Sequence, residues 1–95
     1  MTSIKARYGR DGYSVVSIGH AGTTEACTAV SAIIQALAGW VHNHEGGISL
    51  DKGEALIAFP RSEGADAVMD MTVIGLLQIE KAAPGAVKVE VIYDS

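Results

Sequence analysis

The 95-residue sequence predicts an α+β domain in which two helices pack on a mainly antiparallel sheet. Short segments of alternating hydrophobicity, typical of strands with one buried face, occur in pairs around glycine-containing turns. Longer segments with apolar residues every three or four positions follow each pair, which gives the order β-β-α-β-β-α-β. Because hairpins alternate with helices, this order differs from a run of βαβ units. We expect one domain over residues 1–95, with both helices on one face of the sheet.

The first pair of strands is predicted at the start of the chain. Ile4, Ala6 and Tyr8 alternate with polar residues, as in a strand with one buried face. Residues 9–12, with glycine at both ends, form a turn signal, and residues 13–18 are rich in valine and isoleucine. The two segments should therefore pair as an antiparallel hairpin.

The first helix is predicted from about Thr24 to about Val41. Thr23 or Thr24 can cap its N-terminus, and the Glu25 carboxylate suits the positive end of the helix dipole. One face is formed by residues at helical spacing, namely Cys27, Val30, Ile34, Leu37 and Val41. That face is widened by Ala26, Ala29 and Ile33. Since the segment is apolar nearly all round, we expect most of it to be buried.

A second hairpin, a second helix and a final strand complete the chain. Residues 48–50 and 54–59 predict two strands around a turn at residues 51–53, and Pro60 ends the second strand. The second helix begins with acidic residues, continues with apolar ones to about Ala82 and is terminated by Pro84-Gly85. These acidic and apolar positions are Glu63, Asp66 and Asp70, then Val68, Met71, Ile74, Gly75 and Ile79, flanked by Leu76 and Leu77. Alternating valines from residue 87 to 91 predict the last strand.

Composition narrows the class of protein. The net charge of −4 argues against general affinity for nucleic acid or for an anionic membrane. No secretory signal is evident, and no apolar run approaches the ~18 residues needed to span a bilayer. The single cysteine cannot form an internal disulfide, which fits a reducing compartment. We therefore expect a cytoplasmic protein without nucleic-acid or membrane partners.

The spacing of His20 and Cys27 is the most informative chemical feature. The strand pattern ends at Ile18 and helical periodicity begins near Ala26, so His20 follows a strand and Cys27 lies near the first helical turn. The helix dipole and free N–H groups there favour the thiolate, which is the nucleophilic form of cysteine. A histidine on the preceding loop can take the thiol proton. The pair has the minimum parts of a cysteine hydrolase.

Several segments together form a recognisable signature. They are Gly19-His20-Ala21, Cys27, Ala29-Val30-Ser31-Ala32 and, further on, residues 73–80 followed by Pro84. In these segments and in the order of elements, nearly the whole chain resembles the ribosomal-processing cysteine proteases, the Prp family. The loop between histidine and cysteine is several residues shorter here than in most members, and Thr24 stands where the family often has an aspartate.

The resemblance implies a cysteine endopeptidase that removes a short N-terminal extension from a large-subunit ribosomal protein, or that processes a phage capsid or scaffold protein. It implies a homodimer with a catalytic dyad of His20 and Cys27. Further candidates for the loop or for substrate binding are Gly19, Ala21, Gly22 and Ser31. Cys27 would attack the scissile carbonyl, His20 would protonate the leaving amine, and N–H groups at the helix start would form the oxyanion hole. This chemistry needs no cofactor and no metal.

Other interpretations stay open. A free cysteine on an apolar helical face is often a small buried hydrophobe, and Ser31 can hydrogen-bond a carbonyl of its own helix. His42 lies about four helical turns, ~22 Å, beyond Cys27, so a metal site that includes both is not expected within one chain. Thiol redox chemistry lacks a resolving cysteine. The main alternative is a non-catalytic dimeric α+β domain that binds a protein partner, with Cys27 structural.

Overall fold

The computed structural model describes residues 1–20 and 23–94. Within them, the elements occur in the order that the sequence predicts, which confirms the α+β class. They are β1 (Thr2–Tyr8), β2 (Gly12–Gly19), α1 (Thr24–His42), β3 (Gly47–Asp51), β4 (Glu54–Pro60), α2 (Glu63–Ala82) and β5 (Val87–Tyr93).

The strands form one five-stranded sheet in the order β3-β4-β2-β1-β5. Both predicted hairpins, β1–β2 and β3–β4, are present, and β2 also pairs antiparallel with β4. The pairing of β1 with β5 is parallel, so the sheet is mixed at one edge. From these directions, β2 runs parallel to β3, and β4 runs parallel to β5. Each helix therefore connects two parallel strands that are not neighbours in the sheet. Parallel strands cannot be joined by a tight hairpin and need a longer crossover of this kind.

The core lies between the sheet and the two helices. Residues of β1, β2 and β4 alternate between more and less buried positions, and register partners such as Ala6 and Val15 both point towards the helices. The opposite face of the sheet carries exposed residues, including Lys5 and Leu56. The core is one cluster: Ile4, Ala6, Tyr13, Val15, Ala26, Val30, Ile34, Leu37, Ala38, Val41, Ile57, Phe59, Ala65, Met69, Val73, Leu76, Ala86 and Val87.

The helix α1 is less buried than its composition predicts. Only six of its nineteen residues are buried, because one stripe packs on β3, β4 and α2 while small residues such as Ala36 and Gly39 face outward. By length and composition alone α1 could cross a membrane, so the expectation that no apolar run reaches that length is wrong. Here its apolar stripe packs on the sheet and on α2.

The helix α2 presents a different face to the sheet from the one suggested by its apolar spacing. Its buried residues are Ala65, Met69, Thr72, Val73 and Leu76. Met71 and Ile74 are 76% and 60% exposed. Polar contacts favour this rotation of the helix: the Tyr8 hydroxyl donates to Asp70 at 2.8 Å, and the Tyr13 hydroxyl donates to Asp66. Two of the three acidic residues that the sequence places early in α2, Asp66 and Asp70, therefore bond to the sheet.

Candidate active site

The end of β2 places His20 beside the start of β1. Gly19 has a φ of +97°, and a Cβ built on it would lie 2.5 Å from the carbonyl oxygen of Met1. Glycine is favoured at this position by both the positive φ and the close approach of the two backbones. Gly19 therefore shapes the strand end that leads into His20.

Cys27 lies in the first turn of α1, as predicted. Thr23 is the N-cap: its hydroxyl accepts from the Ala26 N–H at 3.1 Å, and the Cys27 N–H donates to the Thr23 carbonyl at 3.0 Å. The N–H groups of Ala26 and Cys27 are therefore used by the helix itself, which leaves those of Thr24 and Glu25 as candidates for an oxyanion hole. The Cys27 side chain is partly exposed and lies outside the hydrophobic core, which argues against a deeply buried structural role.

A cleft of about 250 Å³ separates the start of α1 from the turn between β3 and β4. It brings together four of the residues that the sequence singled out: Gly19, His20, Cys27 and Ser31. The other two, Ala21 and Gly22, lie outside the described residues. Among the described contacts, no hydrogen bond joins the side chains of His20 and Cys27. Their shared cleft is compatible with a dyad, whose catalytic role stays a prediction.

The walls of this cleft include residues that sequence reasoning missed. The further lining residues are Thr2, Ser17, Val30, Ile34, Gln35, Leu50, Asp51, Gly53, Glu54 and Ala55. Thr2 and Ser17 are only 3% and 8% exposed, so they are buried polar residues at the edge of the core. Ser17 continues the alternation of Tyr13 and Val15 towards the helices. A hydroxyl at a buried position of a strand was the signal that could have identified it.

The turn between β3 and β4 closes one side of the cleft and lies beside the histidine. The Gly19 N–H donates to the carbonyl oxygen of Gly53 at 2.8 Å, which ties the turn to the end of β2. Gly53 has a φ of +80°, and a Cβ built on it would lie 3.2 Å from Nε2 of His20. The sequence identified this segment as a turn but carried no signal for its proximity to His20.

The other histidines and the tyrosines lie away from this cleft. The Nδ1 atom of His44 is 2.7 Å from the Trp40 carbonyl oxygen, and the two rings stack, so His44 packs at the end of α1. Burial, followed by the hydrogen bond to Asp70, raises the pKa of Tyr8. Within residues 1–20 and 23–94, no group of three His, Cys, Asp or Glu side chains is placed to hold a metal ion.

Crystal structures with the same fold come from two bacteria. SMU.848 from Streptococcus mutans has a TM-score of 0.80 at 18% identity, covering 99% of this chain and 96% of that one. An essential ribosomal processing protease, Prp from S. aureus, was solved with a covalently linked product peptide. It has a TM-score of 0.79 at 16% identity, covering 99% of this chain and 100% of that one. The same protease with a substrate peptide has a TM-score of 0.74 at 15% identity, over 99% and 100% of the two chains. No protein-family model and no curated protein sequence matches this chain.

Proposed function

We propose that this protein is a cysteine endopeptidase in which Cys27 is the nucleophile and His20 is the general acid and base. One observation carries the proposal. The two residues that the sequence singled out, at the end of a strand and in the first turn of a helix, line the same cleft. Cys27 is partly exposed there, as a nucleophile that must reach a substrate requires.

The proposed reaction has two half-reactions. His20 takes the Cys27 thiol proton, and the sulfur attacks the scissile carbonyl carbon to form a tetrahedral oxyanion. The N–H groups of Thr24 and Glu25 stabilise that oxyanion. When the C–N bond breaks, His20 gives its proton to the leaving amine, and a thioester remains on Cys27. Water, activated by His20, then hydrolyses the thioester and restores the thiol.

A peptide is the substrate that best fits the shape of the cleft. Along one wall, α1 contributes residues from Cys27 to Gln35, a rise of about 12 Å. This length matches roughly three to four residues of extended peptide. Two of the solved structures that share this fold hold peptides, and their protein is named a ribosomal processing protease. We infer a protein substrate in the cytoplasm, either the extended precursor of a large-subunit ribosomal protein or a phage capsid or scaffold protein.

The active form is proposed to be a homodimer. The outer sides of α1 and α2 form an apolar groove of about 420 Å³ whose lining includes Ile33, Trp40 and Met71. Ile74, on the same helix as Met71, is also exposed. Exposed apolar surface of this kind is typical of interaction sites. The same surface also favours the alternative function, a non-catalytic domain that binds a protein partner.

Mass spectrometry separates these functions. The purified protein is incubated with candidate precursor proteins and with peptides that span their N-terminal extensions, and the products are identified by intact mass. The peptidase predicts a new N-terminus at one position, with cleavage lost in Cys27→Ala and retained in Thr28→Ala. Thr28 is the matched control because it is the exposed neighbour of Cys27 on α1 and does not line the cleft. Cleavage by Cys27→Ala at the wild-type rate would contradict the proposal, and binding without cleavage would favour the alternative.

A further inference from the structure

A segment far away in the chain lies beside the ring of His20. In many cysteine hydrolases the histidine is oriented by a third group. Among the described contacts, no side chain hydrogen-bonds to the His20 ring. The β3–β4 turn lies beside the ring: a Cβ built on Gly53 would lie 3.2 Å from Nε2, 3.7 Å from Cε1 and 4.0 Å from Cδ2 of His20.

We propose that Gly53 is a positioning residue for His20, an inference that rests on the proposed peptidase function. The glycine backbone lies beside the Nε2 edge of the imidazole, where a side chain would press on the ring. The hydrogen bond from the Gly19 N–H to the Gly53 carbonyl holds the turn against the residue that precedes His20. The hydrogen bond fixes the position of the turn, and the absence of a side chain on Gly53 leaves the ring its space in the cleft that Cys27 shares.

The distance from a Cβ built on Gly53 to Nε2 of His20 determines the effect of a methyl group at position 53. A separation of 3.2 Å is tighter than an ordinary carbon–nitrogen contact, so in Gly53→Ala the ring or the turn must shift by a few tenths of an ångström. Misplacement of a reacting group by 1 Å costs on the order of 100-fold in rate, so this smaller shift should cost on the order of tenfold. Gly53→Ala should therefore lower kcat roughly tenfold, with a smaller change in KM, because the cleft wall gains only one methyl group.

A matched control separates positioning from backbone strain. Gly53 has a φ of +80°, so alanine there is strained even without a neighbour. Gly85 has a φ of +86° but no atom within 4 Å of a built Cβ. Gly85→Ala therefore carries the same backbone strain without touching the histidine. It should leave kcat within about twofold of wild type.

The experiment combines kinetics with NMR. We expect kcat against pH for a cleaved peptide to fall and its profile to shift in Gly53→Ala but not in Gly85→Ala. In the wild-type protein, nuclear Overhauser contacts should join Hε1 or Hδ2 of His20 to the Hα atoms of Gly53. This second measurement needs no variant and no activity, so it holds even if Gly53→Ala fails to fold.

The outcomes separate the positioning role of Gly53 from the proposed peptidase function. Wild-type cleavage with equal kcat in Gly53→Ala, or with equal losses in both glycine variants, overturns the positioning role alone. Absence of the His20–Gly53 contacts in the wild-type spectrum also overturns it. A folded wild-type protein that shows these contacts but cleaves no candidate substrate overturns the proposed function and leaves the contact as packing only.

Discussion

Replacement of Cys27 by alanine tests both the chemistry and the packing of this residue. Cys27 is partly exposed and outside the core, so loss of its sulfur should lower the free energy of unfolding by only about 1 kcal/mol. The matched core variant is Leu37→Ala on the same helix, where the side chain is 2% exposed and the loss should be about 2–5 kcal/mol. For a domain of this size, 1 kcal/mol corresponds to a fall in Tm of about 4–8 °C.

Cys27→Ala and Leu37→Ala should give opposite results in an assay of stability and an assay of cleavage. Urea unfolding gives the free energy of unfolding by linear extrapolation, and intact-mass analysis follows cleavage of the candidate substrate. Cys27→Ala should be nearly as stable as wild type and inactive, whereas Leu37→Ala should be less stable and, below its Tm, active. A loss of stability in Cys27→Ala as large as that in Leu37→Ala would refute the assignment of Cys27 to an accessible site. Cleavage by Cys27→Ala at the wild-type rate would refute the role of Cys27 as the nucleophile.

Three other changes test separate parts of the molecule. His20→Ala removes the proposed acid and base, so peptide cleavage should fall at least about 100-fold. Iodoacetamide should also alkylate Cys27 more slowly at neutral pH. Unchanged alkylation would argue against a working dyad. Tyr8 has a raised pKa in the folded state, because of burial and its hydrogen bond to Asp70, so its contribution to stability is complete below about pH 10 and is lost as the pH rises further. Urea unfolding from pH 9 to 11 should show this loss, with a shallower fall in Tyr8→Phe; equal slopes would contradict it. Met71→Glu places a charge on an exposed apolar position, so light scattering should show a monomer with wild-type stability, whereas a persistent dimer would place the interface elsewhere.

Local signals in the sequence were sufficient for the element order and for the placement of the two proposed catalytic residues. Alternating residues identified the strands, and threonine followed by helical periodicity identified the start of α1, where Thr23 caps the helix. These signals act over a few residues, through backbone hydrogen bonds, caps and side-chain spacing, so they are visible without a tertiary structure. For the same reason the sequence placed His20 after β2 and Cys27 in the first helical turn.

Contacts between distant segments were decided only by the tertiary structure. Periodicity places apolar residues on α2 but cannot determine which side faces the sheet, and the bonds from Tyr8 and Tyr13 to the helix accompany the observed rotation. The parallel pairing of β5 with β1 likewise joins the two ends of the chain. Gly53 reaches His20 because β4 lies beside β2 in the sheet, a pairing of strands separated by α1 and β3. Such pairings depend on the packing of the whole sheet and its helices. They therefore cannot be predicted from the local sequence around Gly53 or His20.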